Sequence, residues 1–192
     1  MLELHEGDAL IVVDVQNDFL PGGALAVPGG DEVVPVLNEY LKRFAAKNLP
    51  VFATRDWHPP NHCSFQLQGG PWPPHCIAGT HGAEFSPDLK LPEGAQIISK
   101  ATEPEREAYS GFDGTRLFTL LKEQGIRRLF IGGLATDYCV LNTVKDALRL
   151  GFAVFLLRDA VRAVNVHPGD EQKALDEMQR LGARFLTLKE LA

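Results

Sequence analysis

The chain has 192 residues, 45% hydrophobic and 23% charged, with a formal net charge of −6. That length suits one domain, residues 1–192, with a core large enough to fold without a disulfide or metal staple. The acidic balance and the lack of a basic run argue against nucleic acid as a partner. The apolar stretch 9–13 is too short to cross a bilayer, so no membrane partner is expected either.

In chain order, residues 9–14 read as a buried strand, β-branched and ending in a carboxylate. Asp31 is placed to cap a helix over 31–47, with Val33, Val34, Leu37, Tyr40, Leu41 and Phe44 at helical spacing. Strands follow at 50–54 and 95–99, a helix at 115–124, a strand at 128–132 and a helix at 137–150. The last elements are a strand at 152–157, a helix at 171–181 and a strand at 183–186. This alternation predicts an α/β fold: a mostly parallel sheet, helices on both faces, right-handed crossovers. Residues 55–94 break the rhythm. They are rich in Pro, Gly and His, but Trp57, Phe65, Trp72 and Phe85 predict an ordered, packed loop with a function. Cys63, Cys76 and Cys139 are irregularly spaced and do not read as a disulfide framework. No leader pattern opens the chain, so a cytoplasmic location is expected.

Asp14, Asp56, Lys100 and the turn before Cys139 all fall just past the carboxyl ends of predicted strands, the edge where open α/β sheets bind ligands. Thr136 as a helix cap would put Cys139 in the first turn, where backbone N–H groups favour a thiolate and could hold an oxyanion. Burial statistics alone favour a small core residue at Cys139, and leave Cys63 and Cys76 as core. Asp14 can serve as an acid/base or as a loop-capping carboxylate. Lys100 can serve as a buried counter-ion or as a surface lysine. Asp56, His58 and His75 together offer O,N,N ligation suited to zinc, iron(II) or manganese, and His62 or Ser64 could join or support that shell. Phe19, Trp72 and Tyr109 could wall a flat aromatic ligand, or simply pack.

Five segments carry a family resemblance: Ile11-Val12-Val13-Asp14-Val15-Gln16-Asn17-Asp18-Phe19, Arg55-Asp56-Trp57-His58-Pro59, Trp72-Pro73-Pro74-His75-Cys76, Ala108-Tyr109-Ser110-Gly111-Phe112 and Ala135-Thr136-Asp137-Tyr138-Cys139-Val140. In this order and nearly end to end, the chain resembles nicotinamidases of the isochorismatase-like hydrolase superfamily. The resemblance implies a three-layer, doubly wound six-stranded parallel sheet in a Rossmann-like order. It also implies hydrolysis of nicotinamide to nicotinate and ammonia through a Cys thioester. Pyrazinamide is a further candidate substrate, and a homo-oligomer is left open. By resemblance, Asp14, Lys100 and Cys139 are the catalytic residues. Backbone groups of Ala135 and Cys139, after a cis peptide, form the oxyanion hole. Phe19, Trp72 and Tyr109 line the pocket. Asp56, His58 and His75 hold one divalent transition metal, zinc foremost, with iron or manganese as alternatives. Superfamily relatives acting on carbamoyl compounds generally lack that Asp/His/His set.

Overall fold

The computed structural model describes residues Met1–Ala192. Six strands form one sheet: β1 (Asp8–Val13), β2 (Val51–Asp56), β3 (Gln96–Lys100), β4 (Arg128–Leu134), β5 (Ala153–Arg162) and β6 (Arg184–Leu186). All neighbouring pairs are parallel, in the order β3-β2-β1-β4-β5-β6. The chain winds outward from β1 to β3, then returns to β4 on the other side of β1. A crevice therefore opens between β1 and β4 at their carboxyl ends, the switch point of a doubly wound sheet.

Both faces of the sheet are covered because its strands alternate with period two and are apolar on each side. Leu10, Val12, Ala53, Phe130 and Leu157 pack with Leu37, Tyr40 and Phe44 of α1 (Val33–Ala46). Ala9, Ile11, Val13, Phe52 and Ile131 face α2 (Leu117–Glu123), α3 (Leu141–Arg149) and α4 (Asp170–Arg180) through Leu117, Leu121, Val144 and Met178. The edge of Phe44 meets Phe130 at 5.3 Å between centroids, and Phe130 stacks on Phe155 at 4.8 Å. Truncating such a core ring typically costs about 3–5 kcal/mol. At the centre, β1 and β4 approach so closely that a Cβ at Gly133 (φ +124°) would lie 2.2 Å from the Val13 carbonyl oxygen. Only glycine fits there.

Three local expectations need correction. Asp31 makes no capping bond; a 3-10 turn over Gly30–Glu32 leads into α1 instead. β5 runs to Arg162, five residues past the predicted end, because its register against β4 shifts between Ile131 and Gly133. The polar pair Arg158-Asp159 falls at that irregularity. Asp159 is satisfied by the Tyr40 hydroxyl at 2.8 Å and the Leu188 N–H at 2.8 Å. Thr136 does not cap a regular helix; Thr136–Val140 form a π-turn ahead of α3, and the Thr136 hydroxyl is buried without a partner. The long loop after β2 is ordered as expected, pinned by isolated bridges between His58 and Ile77 and between Phe65 and Trp72. No helix is long and apolar enough to cross a membrane.

Candidate active site

β1 ends at Val13, and Asp14 turns the chain out of the sheet with φ +50°. Its N–H donates to the Thr54 carbonyl at 3.1 Å, and its Oδ1 accepts the Thr54 hydroxyl at 2.7 Å. Asp56 and Lys100 are the last residues of β2 and β3 and face each other in register. The sequence placed both just past those strands; they lie on the final rung. Lys100 Nζ sits 2.8 Å from Asp14 Oδ2 and 2.5 Å from Asp56 Oδ1, and donates to Cys139 Sγ at 3.3 Å. Asp14 Oδ2 meets that ammonium as an ion pair but has no aligned hydrogen bond of its own. Ligand atoms of Asp14, Asp56 and Cys139 lie within 4.8 Å of one another. Three strands and the turn after a fourth thus deliver two carboxylates, an ammonium and a thiol to one buried point.

Burial opposes ionisation at every group in the cluster, and the neighbours decide the outcome. Asp14 is raised above the ordinary carboxylate range, by burial first and by Asp56 against the pull of Lys100. Burial works against the Lys100 ammonium, but Asp14 and Asp56 outweigh it and hold its pKa well above the usual lysine value. Burial likewise opposes the Asp56 carboxylate, yet Lys100 and His58 keep it well below the usual range. Cys139 is pushed far up by burial and by Asp14, which together exceed the help from Lys100. Against the pull of the helix start toward a thiolate, burial and Asp14 push the thiol upward, and the Asp14 carboxylate lies close enough to take its proton.

A second cluster adjoins the first. Asp56 Oδ2 lies 3.5 Å from His58 Nε2 and 4.0 Å from His75 Nε2. His58 Nδ1 is 2.9 Å from the Ala101 carbonyl and His75 Nδ1 is 2.8 Å from the Pro73 carbonyl. A carbonyl only accepts, so each Nδ1 carries a hydrogen and it is each Nε2 that faces the cluster, where the neutral ring offers a lone pair to an ion. Donors about 2.0–2.2 Å from one ion lie roughly 3–4 Å apart, so this set fits a transition metal. His62 offers no free nitrogen to the ion, because both are engaged. Its Nε2 is 2.8 Å from the Arg106 carbonyl, its Nδ1 is 2.7 Å from Ser64 Oγ, and its ring stacks on His58 at 4.1 Å.

A cavity opens above both clusters. Phe19, Trp72, Tyr109 and Tyr138 form aromatic walls, and Asp56, His75 and Cys139 complete the lining on the side of the two clusters. Trp72 Nε1 donates to the Tyr109 hydroxyl at 3.2 Å, and the Tyr138 ring meets Trp72 edge-on at 5.1 Å. Ala135 lines the same cavity, following a cis Leu134–Ala135 peptide.

The Isochorismatase domain model matches residues 8–190. The chain belongs to this isochorismatase family. It is 41% identical to the nicotinamidase of Escherichia coli over 201 residues, 94% of each chain. Among solved structures, it is similar to the pyrazinamidase of Pyrococcus horikoshii in complex with zinc. There the TM-score is 0.91 and the identity 54%, over 95% of this chain and 99% of the other. It is also similar to PnC1 from L. infantum in complex with nicotinate, with a TM-score of 0.90 and 37% identity over 97% and 96% of the two chains.

This member of the isochorismatase family also carries site residues that sequence reasoning missed. Tyr138 is a fourth aromatic wall, and Leu25, Val27, Leu134 and Val164 complete the lining. Apolar walls have no spacing signature. Tyr138, next to Cys139 in a reactive turn, was the one with a findable signal. Thr54, which binds both the backbone and the carboxylate of Asp14, looked like an ordinary strand residue.

Proposed function

We propose that this chain is an amidohydrolase that converts nicotinamide to nicotinate and ammonia, supplying nicotinate for pyridine-nucleotide salvage. The observation that carries this reading is the buried Lys100 ammonium, in contact with Asp14, Asp56 and Cys139 together beneath an aromatic slot. The nicotinamidase and pyrazinamidase relatives support the same chemistry. Pyrazinamide, with a ring nitrogen and a ring carboxamide of the same shape, belongs to the same substrate class.

Phe19, Trp72, Tyr109 and Tyr138 sandwich the ring and exclude bulk water, leaving the carboxamide over Cys139. Asp56, His58 and His75 would hold one divalent transition ion, zinc foremost, with iron or manganese suited to the same donors. When bound, that ion supplies a Lewis-acidic partner for the ring nitrogen. Asp14 takes the Cys139 proton as sulfur attacks the carbonyl carbon. The oxyanion is held by backbone N–H groups of Ala135 and Cys139, and Lys100 offsets the added negative charge. Asp14 returns the proton to the amide nitrogen, the C–N bond breaks, and ammonia leaves a thioester. Asp14 then takes a proton from water as that water adds to the thioester. The C–S bond breaks, the proton on Asp14 returns to sulfur, and the nicotinic acid released gives up its carboxyl proton to solvent or ammonia to become nicotinate.

The test is ammonia release from nicotinamide by purified protein. Cys139→Ala should lower it by on the order of a thousandfold or more while ring binding persists. Undiminished release from that variant would remove Cys139 from the mechanism, and absence of release from the wild type would overturn the activity.

A further inference from the structure

At the point where β1 gives way, Asp56 loses its regular strand partner. In a parallel ladder continuing past Val13, the Asp14 carbonyl would take the Asp56 N–H, and the Gln16 N–H would serve the Asp56 carbonyl. Neither bond forms. The left-handed turn at Asp14 points its carbonyl back to accept the Gln16 N–H at 2.9 Å instead. Two backbone polar groups of a buried residue are left to be satisfied in some other way.

The side chain of Gln16 replaces both missing bonds. Its Oε1 accepts the Asp56 N–H at 2.9 Å, and its Nε2 donates to the Asp56 carbonyl at 2.8 Å. The second Nε2 hydrogen goes to the Ala83 carbonyl at 2.9 Å. Gln16 is fully buried, with three of its amide's four hydrogen-bonding positions filled. A primary amide has the donor and acceptor layout of a peptide unit, so the side chain extends β1 by one rung after the main chain has left.

We propose that Gln16 is a positioning residue for the carboxylate of Asp56, and through it for the ion held with His58 and His75. This inference rests on the proposed ion site. Asp56 is committed in two directions, Oδ1 to Lys100 and Oδ2 toward the two imidazoles. Its side chain can divide itself this way only if its main chain is fixed, and Gln16 clamps that main chain on both sides. Gln16 touches neither the ion, the substrate nor the reacting atoms. The competing role is merely structural, with Gln16 tying down the turn His81–Ala83. Asn17 ties the same segment independently, through its N–H to the Glu84 carbonyl and its Nδ2 to the His81 carbonyl, each at 2.9 Å.

The experiment measures Zn²⁺ affinity of metal-stripped full-length protein by competition with a chromophoric chelator, with urea midpoints as the check on folding. Gln16→Ala should weaken Zn²⁺ binding about 10- to 100-fold, the usual effect of removing a partner behind a metal ligand. Gln16→Glu keeps the shape but sets a carboxylate oxygen against two carbonyls, and should bind no better. Asn17→Ala, which loosens the turn and leaves Asp56 clamped, should stay within about twofold of wild type. Wild-type affinity in Gln16→Ala, or an equal loss in Asn17→Ala, overturns the inference. If Gln16→Ala does not fold, the isosteric Gln16→Glu decides by the same criterion. Absence of Zn²⁺ binding in the wild type would overturn the ion site itself, a result distinct from equal binding by wild type and variants.

Discussion

One carboxylate joins the two clusters: Asp56 Oδ1 lies 2.5 Å from Lys100 Nζ while Asp56 Oδ2 lies 3.5 Å from His58 Nε2. The thiol chamber and the imidazole set are therefore not independent. Lys100 is the only cation between Asp14 and Asp56, so its removal leaves two buried carboxylates facing each other. Lys100→Met should destabilise the fold by about 3–5 kcal/mol in urea unfolding, as breaking a buried ion pair does. It should also abolish ammonia release. A variant of unchanged stability would mean that the ammonium does not hold the two strand ends together.

The pH profile should carry the signature of a buried base. Burial raises Asp14 above the ordinary carboxylate range, and its proton-accepting form is lost as pH falls through that raised value. With saturating divalent ion, kcat/KM should therefore decline on the acid side at a pH above about 4, the unperturbed value. Burial pushes the Cys139 thiol upward and its neighbours hold Lys100 well above the usual value, so neither titrates between pH 7 and 9 and the profile should be flat there. A profile flat down to pH 4 would remove Asp14 as the base.

Stripping the ion should act on binding before chemistry. Chelator-treated protein should show a raised KM for nicotinamide, with recovery on adding zinc, iron(II) or manganese. An ion that binds only the folded chain adds stability by mass action, about 2.7 kcal/mol at a hundred times its Kd. Thermal unfolding should move upward as ion is added, and Asp56→Asn should remove that shift. A midpoint indifferent to all three ions would count against the Asp/His/His site.

Trp72 is a wall with a hydrogen bond behind it. Trp72→Ala removes the ring that meets Tyr138 and frees the Tyr109 hydroxyl. Loss of a buried aromatic contact of roughly 2 kcal/mol corresponds to about a thirtyfold rise in KM. Trp72→Phe should recover most of it. Steady-state kinetics on both variants would decide the point; an unchanged KM in Trp72→Ala would place the ring elsewhere.

The parallel architecture was legible because buried strands such as 9–14 are continuous and β-branched, and the helices between them keep a clear apolar stripe. Asp14, Asp56, Lys100 and Cys139 could be singled out because charged and reactive residues at strand ends stand out against that background. What stayed hidden depends on partners distant in sequence. The extra length of β5 comes from a register slip against β4 and from Tyr40 and Leu188 satisfying Asp159, none of which local pattern encodes. Gln16 lies within a segment already quoted for its resemblance, yet nothing in its type or spacing shows that its amide replaces two main-chain bonds of a residue forty positions away. The balance at the thiol depends on distant partners in the same way: a helix start argues for an anion, and only the packed surroundings of Cys139 bring in burial and Asp14 against it.

His62 is held as an electrically silent ring. The Arg106 carbonyl requires a hydrogen on Nε2, while the Ser64 backbone N–H, 3.3 Å away, points its own hydrogen at Nδ1. With one nitrogen donating and the other accepting, the imidazole stays neutral, a state that burial also favours. Lying flat on His58, it gives that ring a floor without setting a positive charge behind it. An arriving dication thus meets no repulsion from the layer beneath the donors. In this protein a histidine that looks like one more ligand serves instead as insulation.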